Sequence, residues 1–344
     1  MSEITRLLDL AFVARQAFWS DNHSSAFRLF NGFLEGLPAI CVDVYAHTVL
    51  IQNYATSQTD NHTEIVKTWV QEKLPWVSCI IAKTRASQLV AQRRGEIIHG
   101  DSPDQKIVED GISYAINLML NRDASFYLDT RNLRNWISAN MAGKSVLNAF
   151  AYTGSLGVAA LAGGAACVVQ LDRSKLFLNI ARESYRLNNL PVVKEHFIEK
   201  DFFPAVGQLK SNAQSFDCVL LDPPFFSSSR KGLVDLENNG NRLINKVRPL
   251  IKDGGTLVTI NNALFLSGKE YIASLESLCS DGYLAIEHLV PVPSDFTGYA
   301  ETRCGQPPVD PYPFNHSTKI AILRVRRKST ASQSGTLNAE TSKA

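Results

Sequence analysis

The 344-residue chain has few cysteines, almost no net charge and no long apolar run. Its six cysteines are far apart in the sequence, which argues against a disulfide framework or a zinc site. The formal net charge of +2 neither requires nor excludes nucleic acid, because a local basic surface can exist within a balanced total. No stretch is long enough to span a bilayer, and the first residues lack the pattern of a signal peptide. We therefore expect a cytoplasmic protein that binds no membrane and no metal.

The composition is that of an ordinary folded protein, with 45% hydrophobic and 20% charged residues. A chain of this length suggests two domains. We predict a small α+β domain at residues 1–118 and a larger α/β domain at residues 119–328. Residues 329–344 are rich in Ser, Thr and Lys and poor in apolar side chains, which predicts a disordered tail. The sequence leaves the oligomeric state open, a homodimer included.

The larger region alternates strand-like and helix-like segments, which is typical of parallel βαβ units. Its predicted strands lie at residues 111–120, 146–150, 166–171, 196–198, 218–221, 256–260 and 319–325. Its predicted helices lie at residues 156–162, 175–188 and 241–251. The smaller region is predicted to have helices at residues 7–19 and 63–73 and strands at residues 39–45, 47–53 and 78–83. This order predicts a Rossmann-like, doubly wound and mostly parallel sheet preceded by a small α+β domain.

The turn within residues 146–157 organises the predicted sheet. An apolar strand ends here, and the chain passes through Gly154 into a helix of small residues. Glycine permits backbone geometry that other residues resist and lets a ligand approach the main chain, and Gly157 would let the helix lie close to a strand. The layout fits an α/β sheet that binds an adenosine-containing cofactor beyond its strand ends. By itself the turn is a weak signal and leaves hydride transfer open.

Acidic residues follow the next two predicted strands. Asp172 is placed to accept hydrogen bonds from both ribose hydroxyls of such a cofactor. Asp201 is placed to accept from the adenine amino group, with Phe202 packing on the ring. Either acid could instead cap a helix, but their position at successive strand ends favours binding.

The most specific motif is Asp222-Pro-Pro-Phe225, directly after an apolar strand. The prolines fix the backbone and remove amide donors. The Asp222 carboxylate and the Pro223 carbonyl can then accept hydrogen bonds from an amino group, while Phe225 or Phe226 stacks on its plane. A dehydrogenase does not need the Asp-Pro-Pro-Phe motif. Methyl transfer from S-adenosylmethionine (SAM) to a planar acceptor, by contrast, depends mainly on positioning of the kind that this motif provides.

Four segments together resemble the bacterial ribosomal RNA large-subunit base methyltransferases, which include cytosine-C5 and guanine-N7 enzymes. They begin at Phe126, Val146, Asp172 and Asp222, and the segment from Phe27 also resembles the small domain of the cytosine-C5 branch. The resemblance implies SAM as the cofactor and RNA as the partner, either 23S ribosomal RNA or a precursor particle. The cofactor-binding residues it implies are Phe126, Arg131, Asn148, Phe150, Tyr152, Gly154, Asp172, Arg173, Asp201, Phe202 and Asp222. The predicted catalytic residues are Asp222, Pro223, Phe225 and Asn262.

One departure from the cytosine-C5 branch bears on the chemistry. Cytosine C5 is a poor nucleophile, so its methylation needs a thiolate that attacks C6. The C5 branch places that cysteine after the strand that follows Asp-Pro-Pro, but Asn261 and Asn262 stand there in this chain. The pair resembles the guanine-N7 branch, and we expect a guanine nitrogen as acceptor. Cys304, in a late loop, remains as the alternative nucleophile.

Three further readings stay open. The same pocket could methylate a small molecule or a protein, or the chain could be a catalytically idle RNA-binding assembly factor. Too few residues precede Phe27 for the PUA RNA-binding module of many family members, so RNA docking is expected to rely on other surfaces. Short basic clusters that could contact phosphates are Arg93 with Arg94, Arg230 with Lys231, and Arg324 with residues 326–328.

Overall fold

The computed structural model describes residues 2–56, 61–229, 232–305 and 310–327. Three features predicted above lie outside these ranges. They are the Arg230 and Lys231 cluster, Lys328 and the predicted tail at residues 329–344.

The first part of the chain forms a five-stranded sheet in the order β1-β2-β3-β4-β5. Its elements are α1 (Glu3–Ala14), β1 (Ala26–Asn31), α2 (Gly32–Glu35), β2 (Ile40–Tyr45), β3 (Thr48–Asn53), α3 (His62–Lys73), β4 (Cys79–Thr84), α4 (Val90–Arg94) and β5 (Glu96–His99). Strands β3 and β4 are parallel, and the other neighbours are antiparallel. The predicted hairpin of β2 and β3 is confirmed.

Two predictions in this part need correction. Helix α1 begins earlier than predicted, because the Ser2 side chain accepts a hydrogen bond from the backbone N–H of Thr5 at 3.1 Å and caps it. The helix ends at Ala14, and a 3₁₀ turn follows at Gln16–Phe18. Strand β1 was not predicted, since five of its six residues are buried and the alternation of a half-exposed strand is missing.

The second part forms a seven-stranded sheet in the order β10-β9-β8-β11-β14-β16-β15. A separate hairpin, β6 (Lys106–Glu109) and β7 (Ile112–Ala115), precedes it. The next elements are α5 (Arg131–Asn140), β8 (Ser145–Ala149), α6 (Ser155–Ala162), β9 (Cys167–Asp172), α7 (Lys175–Leu187), β10 (Phe197–Glu199), α8 (Phe202–Ser211) and β11 (Phe216–Leu221). The last are β12 (Phe226–Ser229), β13 (Gly232–Asp235), α9 (Gly240–Val247), β14 (Ile251–Asn261), α10 (Gly268–Cys279), β15 (Leu284–Val290), α11 (Ser294–Thr297) and β16 (Lys319–Val325). The predicted alternation is confirmed, with β16 antiparallel to both of its neighbours.

Three elements in this part have boundaries that differ from the prediction by more than two residues, and one of them is β14, which begins at Ile251 rather than at residue 256. The strand predicted at residues 111–120 is only the second arm of the β6–β7 hairpin, whose turn places Asp110 and Gly111 at φ 50° and 78°. The helix predicted at residues 241–251 ends at Val247 in α9. A 3₁₀ turn with Pro249 follows, and Ile251 already pairs in β14. The hairpin of β12 and β13, just after Asp-Pro-Pro, was not predicted.

The strand order brings the expected residues to one edge of the sheet. From β8 the chain moves to β9 and β10 on one side and then returns to β11 and β14 on the other. Ala149, the last residue of β8, therefore lies beside Leu171 in β9 and Leu221 in β11. The loops after these three strands meet at the point where open α/β sheets bind ligands.

Close packing behind this edge requires glycine at two positions. A Cβ on Gly154, whose φ is +81°, would lie 2.5 Å from the Cβ of Ala181 in α7. A Cβ on Gly157 would lie 2.2 Å from the side-chain nitrogen of Gln170 in β9. Both glycines thus let α6 approach its neighbours, which the sequence suggested for Gly157, while the positive φ of Gly154 confirms the unusual backbone geometry expected there.

We expect Gly154→Ala to lower the free energy of unfolding by about 3 kcal/mol, combining a left-handed backbone cost with overpacking. Gly143→Ala is the matched control, because Gly143 has φ +71° and an added Cβ would meet nothing within 4 Å. That control should lose only about 1 kcal/mol, the backbone cost alone. Urea denaturation of both variants provides the measurement. Equal losses would show that Ala181 exerts no steric constraint.

Candidate active site

A cavity of about 350 Å³ lies at the carboxyl ends of the parallel strands. Many of the predicted site residues line it. They are Phe150, Tyr152, Asp172, Arg173, Asp201, Phe202, Asp222, Pro223 and Asn262. The tertiary structure therefore collects residues from the carboxyl ends of five strands, β8, β9, β10, β11 and β14, around one space.

The loop after β8 is held in an unusual conformation by Asp172. Phe150 and Tyr152 have left-handed backbones, with φ of 59° and 51°. The Asp172 carboxylate accepts hydrogen bonds from the backbone N–H of Tyr152 at 2.9 Å and of Ser174 at 2.8 Å. Burial raises the pKa of Asp172, although these N–H donors oppose the shift. Each carboxylate oxygen keeps a further lone pair with which it can accept from a ligand hydroxyl.

Two stacked rings stand at another side of the cavity. The Phe150 and Phe202 ring centroids are 4.5 Å apart, with an interplanar angle of 22°. Asp201 caps α8 by accepting from the backbone N–H of Phe203 at 3.1 Å, and it also lines the cavity. Helix capping and ligand binding are thus compatible for this carboxylate, because one accepted bond leaves other lone pairs available.

Asp222 follows β11 in a half-buried position on the cavity wall. Burial, reinforced by the nearby negative charge of Asp129, raises the pKa of Asp222 to about 7. Pro223 is buried beside it. The carboxylate is therefore held in a setting that penalises its charged form until a cation or a hydrogen-bond donor arrives.

The two asparagines after β14 have different positions. Asn261 is buried, donates to the Leu236 carbonyl at 3.2 Å, and accepts from the backbone N–H of Ala263 at 2.9 Å. The Lys319 ammonium also donates to the Ala263 carbonyl, at 2.9 Å. Asn262 is exposed and lines the cavity. Asn261 thus fixes the turn, whereas Asn262 presents its amide to whatever enters the cavity.

Five predicted residues do not line this cavity. Phe126 is buried, with the Arg134 guanidinium 4.1 Å from its ring centre. Asn148 donates to the Gln170 side chain at 2.8 Å inside the sheet, and Gly154 packs against α7. The other two, Arg131 and Phe225, are engaged elsewhere.

Arg131 donates to both carboxylate oxygens of Asp295, at 2.9 and 3.2 Å, and to the Ala26 carbonyl at 2.9 Å. It joins helix α5 to α11 and to β1 of the five-stranded sheet. Phe225 accepts from the backbone N–H of Leu236 at 3.0 Å, which extends the pairing of the β12–β13 hairpin beyond its open end. Its ring, 40% exposed, stands outside the cavity.

Several lining residues were not predicted. Tyr127, Asp129 and Thr130 come from the resembling segment that begins at Phe126, and Phe177 comes from α7. The Tyr127 and Phe177 rings flank Tyr152, with centroids 5.4 and 4.6 Å from it. Asp129 accepts from the Thr318 hydroxyl at 2.8 Å. The sequence pattern that could have indicated them is the alternation of side chains along this segment. Phe126 and Leu128 are buried, whereas Tyr127 and Asp129 line the cavity.

None of the six cysteines, all within the described residues, lines the cavity. Cys304 lies beside α2, where its backbone N–H donates to the Leu34 carbonyl. Its sulfur is 3.7 Å from the Thr302 carbonyl oxygen. Burial raises the pKa of Cys218 to about 12, which keeps that thiol neutral.

The family model of the S-adenosylmethionine-dependent methyltransferases matches residues 41–279. The chain belongs to this family. Its cofactor is SAM, and the predicted Rossmann-like fold is confirmed. Within the described residues, no helix is long and apolar enough to cross a membrane, and no three His, Cys, Asp or Glu side chains are grouped to hold a metal ion.

Among curated relatives, the ribosomal RNA large subunit methyltransferase I of Aeromonas salmonicida is 32% identical over 241 residues, which is 68% of this chain and 60% of that protein. The methyltransferase K/L of Colwellia psychrerythraea is 32% identical over 251 residues, 70% of this chain and 34% of that protein. The matches thus span less than two thirds of either relative. A solved protein assigned as a methyltransferase, in complex with SAH, has a TM-score of 0.81 at 22% identity and covers 94% of this chain and 82% of its own.

Proposed function

We propose that this methyltransferase modifies a base of ribosomal RNA and that the acceptor is a guanine nitrogen, N7 in the first instance. The observation that carries the choice of base is the acceptor side of the cavity. Asp222, Pro223 and Asn262 line it, and no cysteine does. The names of the curated relatives support RNA as the substrate.

The cofactor end of the cavity fits the adenosine of SAM. Asp172 would accept from the ribose hydroxyls, as the free lone pairs of its carboxylate allow. The stacked rings of Phe150 and Phe202 would pack against the adenine. Asp201 would accept a hydrogen bond from the adenine amino group. Arg173 also lines this end of the cavity.

When bound, SAM supplies an electrophilic methyl group on a positively charged sulfur. Guanine N7 has its own lone pair, so the protein needs only to place that nitrogen in line with the methyl group. The Asn262 amide can donate to guanine O6, and the Asp222 carboxylate can accept from a base amino group. No residue has to form a covalent bond with the base.

Cytosine C5 would require a thiolate within reach of C6. Cys304 is the exposed cysteine, and it packs near Leu34 rather than at the cavity. We therefore place cytosine-C5 methylation behind a guanine nitrogen. With all six cysteines free, this chain would act in the cytoplasm, where free thiols persist.

The target base would have to be unpaired or flipped out, because a stacked base cannot enter the cavity. Phe225 and Phe226, 40% and 60% exposed, offer rings for stacking next to the Asp-Pro-Pro turn. Two of the basic residues proposed for phosphates already have partners. Arg324 binds Glu287 at 2.7 Å, and Arg327 donates to the Ile251 carbonyl at 2.7 Å.

The test is nucleoside mapping of ribosomal RNA from a strain that lacks the gene. We expect one 7-methylguanosine to disappear and to return when the purified protein and SAM are added to that RNA. An Asn262→Ala variant should restore it roughly two- to tenfold more slowly, since one neutral hydrogen bond is worth about 0.5–1.5 kcal/mol. Loss of 5-methylcytidine would overturn the choice of base. An unchanged set of RNA nucleosides would overturn the RNA substrate.

A further inference from the structure

A buried lysine of the small domain touches the loop that leads to the cofactor site. Lys83, in β4, is fully buried. Its ammonium donates to the backbone carbonyls of Asn121 at 3.0 Å, Arg122 at 3.4 Å and Asp123 at 2.8 Å. A buried ammonium is costly unless its donors are satisfied, and here all three N–H groups point at one loop. The side chain thus clamps that loop to the five-stranded sheet.

The clamped loop in turn holds aromatic residues of the cavity wall. The Asn121 amide nitrogen is 3.2 Å from the Tyr152 hydroxyl. The Tyr127 hydroxyl donates to the Asp123 carboxylate at 3.3 Å. Tyr127 and Tyr152 both line the cavity. The backbone N–H of Tyr152 is the group that binds Asp172, so the contacts form a continuous path from Lys83 to that carboxylate.

We propose that Lys83 is a positioning residue for SAM, and that the small domain thereby shapes the cofactor site. Lys83 touches neither the cavity nor, on this proposal, the cofactor. It acts by fixing the Asn121–Asp123 turn, which sets where the two tyrosine rings stand. Arg85, directly after the end of β4, supports the same turn by donating to the Arg122 carbonyl at 2.6 Å. Lys83 in β4 and Arg85 just beyond it therefore converge on a loop outside the five-stranded sheet.

The test compares SAM affinity with stability in the full chain. Lys83→Met keeps the length of the side chain and removes its donors, and we expect it to weaken SAM binding about tenfold by calorimetry. Val66→Ala is the control, because Val66 is buried in the core of the same domain, in the cluster that contains Trp69. It should lower the melting temperature and leave SAM affinity unchanged. If both variants weaken SAM binding equally, the effect is general destabilisation and the proposal is overturned.

A double-mutant cycle tests the path itself. Tyr152→Phe removes the hydroxyl that contacts Asn121 while keeping the ring. If Lys83 acts through this contact, the effects of Lys83→Met and Tyr152→Phe on SAM affinity will be less than additive. Strict additivity would place the action of Lys83 elsewhere. Arg85→Met serves if Lys83→Met does not fold, and it should weaken SAM binding in the same direction. Unchanged affinity in that variant would count against the clamp. All of these measurements use SAM alone, so their outcome is independent of the RNA substrate.

Discussion

Asp172→Ala should reduce SAM affinity by about a hundredfold or more, the loss expected when a charged acceptor of two hydrogen bonds is removed. The carboxylate has two tasks. It would accept from the ribose hydroxyls, and it already accepts from the backbone N–H groups of Tyr152 and Ser174. Without it, the left-handed backbone at Tyr152 loses its partner. Titration calorimetry with SAM and with SAH measures the change.

The two tasks can be separated with controls. Asp172→Asn keeps one oxygen acceptor, and its affinity should fall between wild type and alanine. Asp217→Ala is the matched control at the opposite end of the sheet, where that carboxylate accepts from the Ser145 backbone N–H at 2.8 Å. It should lower stability without changing SAM affinity. Wild-type affinity in Asp172→Ala would rule out the proposed ribose contact.

Asp222→Asn should abolish most methyl transfer and yet stabilise the folded protein at alkaline pH. The pKa of Asp222 is raised from 3.8 to about 7. Between these values the folded state holds a proton that the unfolded state has lost, so stability falls as the pH rises through this window. Above pH 7 the cost of the buried charge is fully present. Asparagine does not ionise and avoids this cost.

We expect Asp222→Asn to raise the free energy of unfolding at pH 8 by on the order of 2 kcal/mol, about half the full value of the shift because the side chain is half-buried. The gain should shrink as the pH is lowered toward 4. Denaturant unfolding of the wild type and the variant at pH 4.5, 6 and 8, in the same buffers, measures this difference. A stability difference independent of pH would contradict the raised pKa.

Although Asp222→Asn should stabilise the folded protein, it should lower the rate of methyl transfer. A removed transition-state acceptor typically costs about a hundredfold or more in kcat, so single-turnover methylation by Asp222→Asn should be slower by that factor. SAM affinity of the wild type should rise with pH through about 7, because the ionised carboxylate attracts the sulfonium, and the variant should lose this dependence. Retained methylation with a wild-type pH profile would remove Asp222 from the acceptor site.

The alternation of strand-like and helix-like segments was enough to predict six of the seven strands of the sheet; the edge strand β15 was not predicted. The acids at Asp172, Asp201 and Asp222 were correctly expected at one edge, because the carboxyl ends of parallel strands meet there. The Asp-Pro-Pro motif could be interpreted from the sequence because prolines restrict the backbone locally. Local chemistry thus determined the fold class and the cofactor, and it brought these acids to one edge of the sheet.

Which side chains face the cavity depended on partners that lie far away in the sequence. Arg131 was predicted to touch the cofactor, but Asp295, 164 positions away, binds its guanidinium. Asn261 and Asn262 are adjacent residues of the same type, so the sequence does not distinguish them. The hydrogen bond from Asn261 to the Leu236 carbonyl shows that Asn261 is the buried one. Tyr127 reaches the cavity on a loop held by Lys83 of the other sheet. A sequence pattern reports what a residue can do, whereas long-range hydrogen bonds and burial decide which neighbour it meets, and so only the tertiary structure could assign these residues.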